Sequence, residues 1–223
     1  MKLPSSGESF TYKNMKFVAL GEEQGGLMAM AAPLTDEMPF NKNGNNDWRQ
    51  SDIRKYLNEE WIKRLATEDL LLIESDLTSD CGQKDYGICK DCAALLSDEL
   101  YRKYREVVLQ WLKKHNIDWS WHLTPWRTPA AGYANVVRIC HTGNGGALDS
   151  NNADNSYGVA PIVIFNPNLF NRPDKDNENV IKELQSKIER QNKYIQNLED
   201  IIIGVINSNN QIEKRIEEMR LNR

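Results

Sequence analysis

The sequence predicts an α+β globular domain over residues 1–172, followed by a single C-terminal coiled-coil helix over residues 173–223. Of the 19 Phe, Trp and Tyr residues, 18 precede Asn171 and only Tyr194 follows. Residues 174–223 contain one glycine, Gly204, and no proline, whereas the preceding part is rich in both. The tail also carries an unbroken apolar rhythm of alternating three- and four-residue steps, the period of a helix that packs along one seam.

The chain has 223 residues, of which 40% are hydrophobic and 27% charged, enough for one ordinary core. Lys+Arg 28 against Asp+Glu 32 gives a formal net charge of -4, so a nucleic-acid partner held by bulk electrostatics is not expected. No apolar run reaches about 18 residues, and residues 1–7 lack the apolar core of a signal peptide. A soluble chain made in a cytoplasm, with no membrane insertion, is the expectation.

Residues 10–20 alternate as strands and turn at Lys13-Asn14, and residues 27–32 read as a further strand before Pro33. Ser51 can cap a helix over residues 52–65, with Ile53, Leu57, Trp61 and Leu65 on one face. Ser97 can cap a second helix whose stripe is Leu100, Tyr104, Val107, Val108 and Trp111. Trp119, Trp121 and Trp126 fall within eight residues, interleaved with prolines that exclude a regular helix. Tryptophans this dense anchor a small core; the alternative is a stacking platform for sugars. Residues 133–140 read as a strand and residues 159–165 as a closing strand. Between them, twelve of the 18 residues in 141–158 are Gly, Asn, Asp or Ser. Such a segment cannot build a core and is expected as a surface loop.

Cys89-Lys-Asp-Cys92 has the spacing of a zinc or redox pair, but a fourth ligand would have to be the distant Cys140, His115, His122 or His141. Free, partly buried thiols are expected, with no metal and no cofactor. Asp76, Asp80 and Asp85 match no calcium loop and read as solvated turn carboxylates. No phosphate loop, nucleophile elbow, dinucleotide fingerprint or zinc-protease motif is present. Cys140 and His141 adjoin on a strand and so point to opposite faces. No enzyme is expected.

The tail seam runs Ile181, Leu184, Ile188, Gln191, Ile195, Leu198, Ile202, Val205, Asn209, Ile212, Ile216, Met219. The a positions are isoleucine except Asn209, and the d positions are Leu, Gln, Leu, Val, Ile and Met. Isoleucine at a with leucine at d, and Asn209, favour two strands, while Val205, Ile212 and Gln191 at d move the preference toward three. A homo-oligomer is expected, with trimer favoured slightly over dimer.

Several segments together carry a resemblance: Phe17-Val-Ala-Leu20, Asn46-Asp-Trp-Arg-Gln-Ser-Asp-Ile-Arg-Lys-Tyr-Leu-Asn58, Asp80-Cys-Gly-Gln-Lys-Asp-Tyr-Gly87, Trp119-Ser-Trp-His-Leu-Thr-Pro-Trp126 and Tyr157-Gly-Val-Ala-Pro161. Across residues 8–170 the chain resembles the domain of unknown function DUF6273, common in Firmicutes genomes and their phages and prophages. The resemblance implies a C-type-lectin-like fold, related to that of formylglycine-generating enzymes, which displays a strand and loop toward a ligand. Ala160 stands where that pattern usually carries arginine.

On this basis the expected function is a non-enzymatic phage or prophage display protein, with a lectin-like head on an oligomerising stalk. It would bind a host-surface protein or glycan through Arg127, Tyr133, Asn135, Arg138, His141, Asn144, Asn151, Asn152, Asp154, Asn155 and Tyr157. The alternatives are a virion structural or assembly protein that meets other virion proteins through its stalk, and an intracellular regulator of host proteins. Its place would be the virion, or the host cytoplasm during assembly.

Overall fold

The computed structural model describes residues 3–132, 134–171 and 175–221. The chain divides into two compact units, Met1–Asn171 and Arg172–Arg223.

In the first unit, β1 (Ser9–Tyr12), β2 (Met15–Glu23) and β3 (Gly26–Ala31) form consecutive antiparallel hairpins. Lys13 and Asn14 take φ of 49° and 62°, the left-handed pair that lets a two-residue turn follow the twist of its strands. The sheet is completed out of sequence order. β12 (Ile162–Phe165) inserts antiparallel between β3 and β5 (Leu70–Leu71), giving the order β1-β2-β3-β12-β5. Every residue of β3 and β12 is buried, which explains why both read as continuous apolar runs rather than alternating ones.

Gly26 is required where β3 meets β12. A Cβ there would sit 2.5 Å from both the Phe165 carbonyl oxygen and Ile164 Cγ2, and the first of these is backbone that cannot swing aside. Gly26→Ala is expected to destabilise the head by about 1–3 kcal/mol in urea unfolding, the usual cost of overpacking.

The first helix is shorter than its periodicity predicts. α1 (Asp52–Glu59) begins where Ser51 accepts from the Arg54 amide, but Glu60 leaves helical geometry at φ -117° and one 3-10 turn, Trp61–Arg64, follows. Ile53, Leu57, Trp61 and Leu65 are all buried nonetheless. α2 (Asp98–Lys114) is capped by Ser97 as expected. Its stripe is shifted, because Tyr104 interrupts the helix at φ -112°, ψ 20°. Tyr101, Val108, Trp111 and Leu112 are fully buried, while Leu100, Tyr104 and Val107 are only partly so. The kink lets the Tyr104 hydroxyl donate to Glu23 at 2.6 Å and the Trp111 indole to the Ala31 carbonyl at 3.0 Å, which fastens α2 to both ends of the β2–β3 hairpin.

The polar segment before α1 is an internal brace. Asn46, fully buried, donates to the Arg127 and Val136 carbonyls and accepts from Tyr86. The buried Asp91 carboxylate, at the end of β7 (Ile88–Asp91), accepts from the Trp48 indole and from Arg54, both at 2.9 Å. β7 pairs with β6 (Ile73–Asp76) in a separate two-stranded ribbon.

A third sheet has the order β10-β9-β8, built from β8 (Trp119–Pro125), β9 (Val136–His141) and β10 (Ala147–Asn152). This corrects the expectation of a structureless loop over residues 141–158. Six residue pairs join β9 to β10 in register, from Ala147 opposite His141 to Asn152 opposite Val136. A short strand β11 (Ser156–Tyr157) pairs with β4 (Met38–Pro39). Composition argues correctly that the segment builds little core, but strand pairing needs backbone groups rather than apolar side chains, and an edge strand such as β10 tolerates Asn, Asp and Ser. Gly145 and Gly146 supply the left-handed turn at φ 62° and 80°.

A short helix α3 (Asn168–Asn171) ends the first unit. The described residues of the second unit form one helix, α4 (Lys175–Leu221), of 47 residues and so about 70 Å long. Its seam side chains from Leu184 to Met219 are all exposed; the apolar ones range from 41% at Leu198 and Ile216 to 64% at Met219. Among the described residues, no helix is long and apolar enough to cross a membrane.

Candidate functional site

Alternation along β8, β9 and β10 divides the predicted contact residues between two faces of one small sheet. On one face Trp119, Trp121, His141 and Asn151 fall together with Tyr157 of β11. The His141 imidazole stacks on the Trp119 indole, centroids 3.7 Å apart and 8° from parallel. Tyr157 meets Trp121 edge-on at 4.9 Å and lies 5.9 Å from Trp119. Asn151 donates to the Tyr157 hydroxyl and accepts from Asn155 at 2.7 Å, and Asn135 lies 3.4 Å from Asn152 across the hairpin. The structure thus brings His141, Asn151, Asn155 and Tyr157 onto one half-exposed ledge of rings and amides; Asn135, Asn152 and Asp154 are exposed, Asn152 on the opposite face of the sheet from Asn151.

Asn144 stands apart in the turn, exposed, its carbonyl accepting from the Ala147 amide. Arg127 lays its guanidinium 4.6 Å over the Trp126 ring. Tyr133 falls outside the described residues, as does the side chain of the seam residue Ile181.

On the opposite face the side chains turn inward toward α2. Arg138 donates to Asp98 at 3.1 Å and its side chain is only 14% exposed, so its charge serves the interior. His122 Nδ1 lies 2.7 Å from Asp98. An ionised carboxylate only accepts, so that nitrogen carries the proton. Burial pushes the Asp98 carboxyl up, but His122 and Arg138 outweigh it and hold the group below the usual carboxylate range. The Tyr101 hydroxyl donates to the Gly146 carbonyl at 2.6 Å, which anchors the hairpin turn to α2.

Cys140 is fully buried on this inner face while His141 stacks outside, so the two neighbours diverge as strand geometry requires. Burial pushes the Cys89, Cys92 and Cys140 thiols up, which keeps them protonated at neutral pH and poorly nucleophilic. Asp76 accepts from Thr78, Asp85 accepts from Thr128, and Asp80 lies near Arg102 and Arg138. Among the described residues no three His, Cys, Asp or Glu side chains converge as metal ligands.

A concavity lies elsewhere, and no sequence motif marks it. A half-open groove of about 520 Å³ is lined by Met15, Leu34, Met38 and Trp61, with Lys16, Tyr56 and Arg64 among its polar groups. Its residues come from the start of β2, the segment after β3, α1 and the 3-10 turn, and only the folded chain assembles them.

Comparison with protein-family models, curated proteins and solved structures finds no match to this chain. The resemblance to DUF6273 therefore rests on the quoted residues alone.

Proposed function

We propose that the chain is a non-enzymatic display protein, a binding head of C-type-lectin-like type carried on a self-associating coiled-coil stalk. The observation that carries this reading is the 47-residue helix α4, whose heptad seam lies exposed along its length. A lone helix that leaves so much apolar surface in water is a poor resting state, because most helical stability in proteins comes from packing an apolar face. Three strands suit the sequence best, since Val205 and Ile212 at d are β-branched and Ile201 and Ile206 extend the apolar strip on either side. Joining two or three heads on one rod raises apparent affinity by factors of about 10² to 10⁴ over a single weak contact.

The ligand surface in this reading is the ledge around His141, Asn151, Asn155 and Tyr157. Aromatic rings supply rigid contact area and amides supply adaptable hydrogen bonds, the pairing that loop paratopes use. A host-surface protein or glycan is the partner class, and the phage or prophage setting comes from the resemblance to DUF6273. A second reading, a virion assembly protein, draws on Ile203. It occupies an outer b position and is 56% exposed, an apolar group on the side of the rod that a packed seam leaves uncovered.

The test is binding of labelled full-length chain to a panel of intact Firmicutes cells. Replacing His141, Asn151 and Asn155, none of them buried, by alanine should lower binding at least tenfold while the head keeps a cooperative thermal transition. Undiminished binding by that variant removes the ledge as the contact surface. Absence of binding to any cell, with assembly into particles lost on truncation of α4, favours the second reading.

A further inference from the structure

We infer that the α4 helices associate parallel and in register, so that all heads of one assembly emerge from the same end of the rod. This rests on the self-associating stalk proposed above and adds its orientation. The competing arrangement is a real one, because the seam is symmetric about Asp200. In an antiparallel pair centred there, Asn209 meets Gln191 of the second copy, Ile188 meets Ile212, Leu184 meets Ile216, and every remaining layer is apolar. The buried seam alone therefore does not choose, and the flanking e and g positions decide.

In the antiparallel pair, g faces g and e faces e across the seam. Lys187 then lies opposite Arg215 at both ends of the g flank, Ile201 and Glu199 each lie opposite their own copy near the centre, and Ile206 is set against the amide of Asn192. In the parallel arrangement each g residue faces the e residue of the following heptad in its neighbour. Lys187 then faces Asn192, Tyr194 faces Glu199, and Ser208 faces Glu213. Ile201 faces Ile206 on every side of the rod. These two isoleucines are 62% and 52% exposed on the isolated helix, and only the parallel arrangement covers both. Its single like-charged contact, Arg215 with Arg220, falls in the last turns of a helix that ends at Leu221, where side chains splay into solvent most easily. Parallel strands also bring Asn209 to Asn209 and Gln191 to Gln191, and a buried polar layer that pairs with itself fixes register.

Disulfide trapping separates the two orientations. In a full-length parent carrying Cys81→Ser and Cys92→Ser, with the buried Cys89 and Cys140 left in place, Ile188→Cys chains should oxidise to cross-linked pairs on their own. The Ile212→Cys chains should do the same, and mixing the two variants should give no preferential mixed product. Cross-linking only in the mixture of Ile188→Cys with Ile212→Cys would overturn the parallel assignment and leave the self-associating stalk standing. No cross-link in either case would overturn both. Leu184→Cys and Ile216→Cys, the corresponding pair nearer the ends of the seam, repeat the test if either central variant fails to fold.

Discussion

Replacing Ile195 and Ile202 together by aspartate is expected to dissociate the protein into single chains while the head keeps its thermal transition. Both are seam residues, 52% and 57% exposed on the isolated helix, and both occupy a positions where each copy would bury its side chain against the others. Burying an isoleucine contributes about 1.5–3 kcal/mol relative to leaving it in water. Two such losses amount to about 4 kcal/mol per chain, or a factor of roughly 10³ in the association constant for each copy in the assembly at about 1.4 kcal/mol per decade. An unpaired carboxylate in each layer adds to this. The head should be indifferent, because the first unit has its own core of Phe17, Leu27, Met28, Trp48, Trp121 and Phe165. Sedimentation velocity and differential scanning calorimetry on the same samples separate the two effects. A variant that stays associated would show that the seam is not what holds the copies together.

Asp98→Ala should destabilise the head more than any surface substitution, by about 3–5 kcal/mol. It removes the one carboxylate that faces both His122 and Arg138 in the interior. Deleting one partner of a buried pair leaves the other charge uncompensated, and against a typical domain stability of about 5–15 kcal/mol this is a large fraction. The pH dependence has a definite sign. The Asp98 carboxyl is held below its usual range in the folded protein, so its contribution is fully present above the unfolded carboxylate value of about 3.9 and is lost as pH falls through the lower folded value. Urea unfolding of wild type and variant should therefore show a gap that narrows as pH falls below about 4. A gap that did not narrow below about pH 4 would mean that His122 and Arg138 do not hold the carboxylate in its ionised form.

The C-terminal helix and Asp98 also mark how far the sequence could be read. The long C-terminal helix was legible, because an apolar repeat of three- and four-residue steps is a local signal that needs no knowledge of the rest of the fold. The caps at Ser51 and Ser97 and the turn at Lys13-Asn14 were legible for the same reason. Asp98 was not, because its importance comes from His122 and Arg138, which approach it only when β8 and β9 pack on α2. The same pairing drew Arg138, a natural candidate for ligand contact, into the interior. Residues 141–158 were misread in part because composition reports whether a segment can form a core, whereas β10 is held by backbone pairing with β9. The insertion of β12 between β3 and β5 was out of reach, since nothing local tells a strand which neighbours it will find. The groove beside Trp61 is the clearest case, with lining residues drawn from four separate stretches of chain.

The central claim is that the exposed seam is covered by further copies of the same chain. The direct measurement is the mass of the full-length protein by sedimentation equilibrium at micromolar concentration. The predicted result is an integral multiple of the 25.7 kDa chain, three in the arrangement that Val205, Ile212, Ile201 and Ile206 favour. A mass of one chain that persists as the concentration is raised would contradict it and remove the multivalent stalk from the reading of this protein.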